Sequence, residues 1–127
     1  SLSCVLKVSN EYRSVLLTGD IEGREERELV ARYGETLHAD ILAVPHHGSA
    51  TSSTWPFLLA VSPEIAIFQT GYLNRYGHPN PRITERYDIM KTYLYRSDRD
   101  GAILMKIGPG IETVTQRSEN ARYWHTP

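Results

Sequence analysis

Apolar positions along this chain follow two alternating rhythms: short unbroken runs, and longer stretches in which they return every third or fourth residue. Ser3 to Val8 and Ser14 to Thr18 are apolar and β-branched runs around the polar turn Asn10-Glu11-Tyr12-Arg13, a hairpin pattern. The next stretch, TGDIEGREERELVARYG, opens on the strand breakers Gly19 and Asp20, and Asp20 or a neighbour can cap the helix that comes next. Leu29, Val30, Tyr33 and Leu37 then recur at helical spacing among charged residues, which predicts an amphipathic helix. Ile41 to Val44 reads as a short buried strand cut off by Pro45, Pro56 to Val61 as a short helix, and Glu64 to Thr70 as another buried strand. After the loop GYLNRYGHPNP, Pro81 to Tyr93 reads as a helix with Ile83, Tyr87 and Met90 as its apolar stripe. Two final strands, Ala102 to Ile107 and Ile111 to Gln116, are joined through GPG. The predicted order is ββαβαβαββ, an α/β sheet covered by helices.

Length and charge narrow the classes. The 127 residues allow one domain with a modest core. An apolar fraction of 40% and a charged fraction of 23% are those of a soluble globular segment. No stretch approaches the roughly 18 apolar residues of a membrane span. A formal charge of -1 gives no general attraction for nucleic acid, so an anionic substrate would have to be held by local charges or metal ions. The single cysteine, Cys4, excludes an internal disulfide framework. Ser1-Leu2-Ser3 runs into a strand-like segment with no signal-peptide pattern, as in a chain entered in mid-fold.

Three polar loops leave three apolar strands and hold most of the unusual chemistry. In LLTGD, Asp20 stands where a carboxylate reaches either a metal ion or a helix N-terminus. In PHHGS, His46 and His47 follow the strand directly, and Gly48 permits close approach of a bulky substrate. A histidine pair is also a common surface feature, so this loop alone decides nothing. In NRYGHP, Asn74, Arg75, Tyr76 and His78 suit a phosphate or a leaving group, or else decorate a turn built on Gly77 and Pro79.

Taken together, SVLLTGD, ADILAVPHHGSATSS, GYLNRYGHPNP and DGAI, in this order and spacing, resemble the metallo-β-lactamase-like domain of the ComEC family, the DNA-internalisation channel proteins of bacterial competence. The resemblance extends over nearly all of residues 1–127 and includes the aromatic, basic ending ARYWH. It implies an αββα sandwich that binds one or two divalent metal ions, zinc or manganese, at one edge. Asp20 matches the bridging aspartate, and the pair His46-His47 contains the last histidine ligand. His46 leaves the strand first and is favoured as ligand, with His47 touching substrate or supporting the site, but the two roles stay interchangeable. Ser49, Thr51 and Ser52 would donate hydrogen bonds to a phosphate, Asn74 and Arg75 would contact the phosphodiester, and His78 would contact it or donate a proton.

No HxHxDH motif occurs in these residues, and the other histidine ligand of the superfamily is also missing. The resemblance therefore makes the chain the C-terminal half of the sandwich, part of a longer bacterial inner-membrane protein, with the upstream half expected before Ser1. For the complete domain it implies metal-assisted phosphodiester hydrolysis, with Asp20 holding both ions. The substrate would be DNA, in the form of the strand degraded while its complement enters the cell. The segment alone is expected to bind metal weakly or not at all, and to self-associate through the sheet face its missing half would cover. The alternatives are another hydrolase of the superfamily, of phosphocholine esterase or lactonase type, and a catalytically silent binding or oligomerisation module.

Overall fold

A computed structural model describes residues 5–44, 52–69, 80–100 and 103–115. The chain is α/β. Strands β1 (Leu6–Ser9) and β2 (Ser14–Leu17) form the expected antiparallel hairpin. Its turn is closed by Asn10, whose Oδ1 accepts from the backbone N–H groups of Tyr12 (2.8 Å) and Arg13 (2.9 Å). Helix α1 (Gly23–Tyr33) tightens into a 3-10 turn over Gly34–Leu37, entered through Gly34 at φ 52°. Strand β3 (Ile41–Ala43), helix α2 (Trp55–Val61), strand β4 (Ile65–Phe68) and helix α3 (Pro81–Ile89) come next, and the Asn80 side chain caps α3 by accepting from the Arg82 N–H.

The helix expected over Pro81 to Tyr93 is shorter, and its end belongs to a further strand. The stripe is as read, with Ile83 and Tyr87 fully buried and Met90 packed against the core. Lys91, however, turns into the left-handed region at φ 60°, and Tyr93–Arg96 forms β5, paired parallel to β4. In Thr92-Tyr93-Leu94-Tyr95 the β-branched and aromatic side chains alternate between two faces, which a strand accommodates and a helix does not. A single turn, α4 (Ser97–Asp100), leads to the hairpin β6 (Ile103–Ile107) and β7 (Ile111–Thr115), a separate two-stranded sheet.

The main sheet has the order β1-β2-β3-β4-β5, and β2 to β5 are parallel. Its register places Leu16, Leu42, Ala66 and Leu94 in one row on the face that α1, α2 and α3 cover. Phe57, Leu58 and Val61 from α2 and Ile83 and Tyr87 from α3 complete that core. Burial of each large side chain there contributes about 1.5–3 kcal/mol. The opposite face is also apolar. Val8, Val15, Ile41, Ile65 and Tyr93 form one row and Leu6, Leu17, Ala43, Ile67 and Tyr95 the next, and Leu6, Val8, Leu17 and Tyr93 are exposed. No helix among the described residues is long and apolar enough to cross a membrane.

Candidate functional site

Because β2, β3 and β4 are parallel neighbours, their C-terminal ends lie side by side. The TGD turn leaves the sheet at that edge, where parallel α/β sheets generally bind ligands, and the chain continues from β3 into PHHGS and from β4 toward NRYGHP, which both lie outside the described residues. Thr18 is buried, and its hydroxyl donates to the Ala43 carbonyl at 2.8 Å, tying the end of β2 to the end of β3. The Val44 N–H donates to the Ile67 carbonyl at 2.9 Å and carries the ladder to the last residue before the histidine segment.

Gly19 adopts φ 61°, a left-handed turn suited to glycine, and delivers Asp20 to the exposed edge. Asp20 is not the cap of α1: that position is Glu22, whose side chain makes no capping hydrogen bond. His46, His47, Ser49 and Thr51 lie outside the described residues, as do Asn74, Arg75 and His78. Ser52 is described and is fully buried. Among the described residues, no cluster of three or more His, Cys, Asp or Glu side chains is placed to hold a metal ion.

Beneath this edge lies a polar network that the sequence pattern does not announce. Glu26, in the first turn of α1, is fully buried. Its Oε2 accepts from the Ser53 N–H (2.6 Å), and its Oε1 accepts from the Thr54 N–H (2.8 Å) and hydroxyl (2.8 Å). The carboxylate thus takes the N–H groups of the two residues that lead into α2, while the Thr54 side chain, at the N-cap position, makes no capping hydrogen bond into the helix. Burial pushes the Glu26 carboxyl above its usual range, and the hydrogen bonds from Thr54 and Ser53 and the nearby Arg86 charge pull it partly back.

Ser53 is held from three sides. Besides its N–H on Glu26, its carbonyl accepts from Arg86 Nη1 (2.9 Å), and its hydroxyl shares a 2.8 Å hydrogen bond with the Tyr87 hydroxyl. Tyr87 is completely buried, which raises its hydroxyl's pKa, and its ring packs edge-on against Phe68 at 5.3 Å. Ser53 itself sits at φ 56°, a conformation that costs a residue with a Cβ about 1–2 kcal/mol. Sequence reasoning missed Glu26 because a glutamate in GREERELV looks like one more solvent-facing charge. The available signal was its position three residues before Leu29 and four before Val30, on the inward stripe.

The resemblance to competence proteins has a counterpart in curated sequences. The chain is 42% identical over 122 residues to competence protein ComA of Neisseria gonorrhoeae, covering 96% of this chain and 18% of that protein. The chain is similar to a segment of bacterial competence proteins. It is also 34% identical over 101 residues to ComE operon protein 3 of Bacillus subtilis and 35% identical over 103 residues to recombination protein 2 of Haemophilus influenzae. Those matches cover 80% and 81% of this chain but 13% of each relative, so the chain spans less than a fifth of all three proteins. No family model matches the sequence.

Proposed function

We propose that this chain is the C-terminal portion of a metallo-β-lactamase-like hydrolase domain within a ComEC-type, membrane-associated competence protein, and that the domain cleaves DNA phosphodiesters during DNA uptake. The observation that carries the reading is the parallel arrangement of β2, β3 and β4, whose C-terminal ends lie side by side, with Asp20 exposed just past the end of β2 and the chain running on from β3 toward PHHGS and from β4 toward NRYGHP. Similarity over 96% of the chain to a competence protein supports the DNA-uptake context.

The donor set suits a hard or borderline divalent ion such as zinc or manganese. Asp20 offers carboxylate oxygens, and the adjacent His46 and His47 offer imidazole nitrogens. Asp20 and one of the two histidines would hold the ions together with ligands from the rest of the parent protein. Bound there, divalent ions supply Lewis-acid polarisation of the phosphodiester and acidify water. The remaining work falls to the chain's own side chains. Arg75 and Asn74 bind and orient the non-bridging oxygens, Ser49 and Thr51 donate hydrogen bonds to the phosphate, and His78 delivers a proton to the leaving oxygen. The near-neutral charge fits this division, because the ions neutralise the phosphate locally.

Metal titration of the parent protein tests the ligand assignment. His46→Ala is expected to lose metal occupancy and His47→Ala to lose turnover with metal retained. The reverse pattern exchanges their roles, and full metal content in both variants removes the pair from the metal site.

A further inference from the structure

We propose that the outward face of α2, with the groove beside its last turn, is a docking surface for an apolar helix from another part of the parent protein. The proposal rests on reading the chain as a portion of a longer competence protein. Helix α2, Trp55-Pro56-Phe57-Leu58-Leu59-Ala60-Val61, contains no polar residue, and the sequence from Gly48 to Pro63 contains no charged one. A helix that is apolar all round belongs in an interior. Yet α2 buries one side only: Phe57, Leu58 and Val61 enter the core, whereas Leu59 is 66% and Trp55 37% exposed. Its neighbour α1 shows the ordinary alternative, an outward face of charged residues such as Arg24, Arg27 and Glu28.

Leu59 and Ala60 line an open groove of about 460 Å³ together with Gly34, Glu35, His38 and Ser62. A ridge of side chains four residues apart, such as Trp55 and Leu59, beside a groove is the relief into which another helix packs. The second sheet of the proposed sandwich would cover the bare face of the main sheet, across the sheet from α2, and would leave this patch open. The groove is lined by no lysine or arginine and carries the exposed Glu35, so an anionic bilayer surface is a poor match for it. A second copy is a poor match too. At about 10 Å in length, α2 offers far less than the about 800 Å² per partner that a stable complex between separate chains buries. A helix tethered in the same polypeptide is held at high effective concentration and can use so small a contact. More than four fifths of each competence relative lies outside the matched segment, which leaves ample chain to supply one.

The test places the photoreactive amino acid p-benzoylphenylalanine at Leu59, or at His38 across the same groove, in the full-length parent protein in its membrane. Both positions are exposed, so neither substitution disturbs the core. After irradiation, mass spectrometry is expected to find crosslinks from both positions to one apolar helix elsewhere in the same chain. The same probe at Ile89, exposed on α3, is expected not to reach that helix. Leu59→Arg should lower the yield from position 38 about tenfold, the factor that corresponds to about 1.4 kcal/mol. Crosslinks to lipid, crosslinks between isotopically light and heavy copies, crosslinks to a polar segment, or no crosslink at all would overturn the proposal. Crosslinking needs no hydrolysis, so an inactive parent protein defeats the nuclease reading without deciding what docks on α2.

Discussion

Glu26 shows how one residue sets the energetics of the edge above it. A buried carboxylate is tolerated because three hydrogen bonds from Ser53 and Thr54 and the Arg86 charge compensate its desolvation. Glu26→Ala strands two backbone N–H groups at the start of α2 and leaves Arg86 without its countercharge, so urea unfolding should report a loss of about 3–5 kcal/mol. A loss below about 1 kcal/mol would mean that the network relaxes onto water. The pH dependence has a definite sign. The folded-state pKa of Glu26 lies above its ordinary 4.5, so its contribution to stability is complete below about pH 4.5 and is lost as pH rises through the folded value. Glu26→Gln does not titrate and should flatten the stability profile across that window. Identical slopes for the two proteins would exclude Glu26 as the titrating group.

At the scale of elements, α3 and β5 show what the sequence makes legible. The stripe Ile83, Tyr87, Met90 identified the helix and its inner face correctly, because a 3.6-residue period survives whatever surrounds it. The end of the helix was not visible, because the chain turns at Lys91 rather than at glycine or proline. Lys91 is exposed and left-handed, so Lys91→Gly should stabilise the protein by about 1 kcal/mol, raising the thermal midpoint in calorimetry. An unchanged or lower midpoint would contradict that account of the turn. The strands β2, β3 and β4 were legible from continuous apolar runs ending in Gly19, Pro45 and Gly71, while the PHHGS and NRYGHP loops lie outside the described residues. The Glu26 clamp was not, since its meaning comes from α1 packing beside the start of α2, a contact that no local pattern encodes.

Among the described residues, the five-stranded sheet has one face covered by helices and carries two apolar rows on the other, where Ile41 and Ile65 are buried and Leu6, Val8, Leu17 and Tyr93 are exposed. With Leu6, Val8, Leu17 and Tyr93 exposed, the chain by itself should self-associate through a second copy on that face. Light scattering at high micromolar concentration checks this: a concentration-dependent rise in mass is expected, and a stable monomer would argue that the face is tolerated in water. In the parent protein, Asp20 is the proposed metal ligand that lies among the described residues, and its role decides the assignment. Hydrolysis of single- and double-stranded DNA by the parent, measured beside its metal content, is the most direct test. Asp20→Asn should reduce metal-dependent cleavage by about two orders of magnitude or more while the fold survives. Full cleavage by Asp20→Asn would contradict the assignment of this edge as a metal-dependent nuclease site.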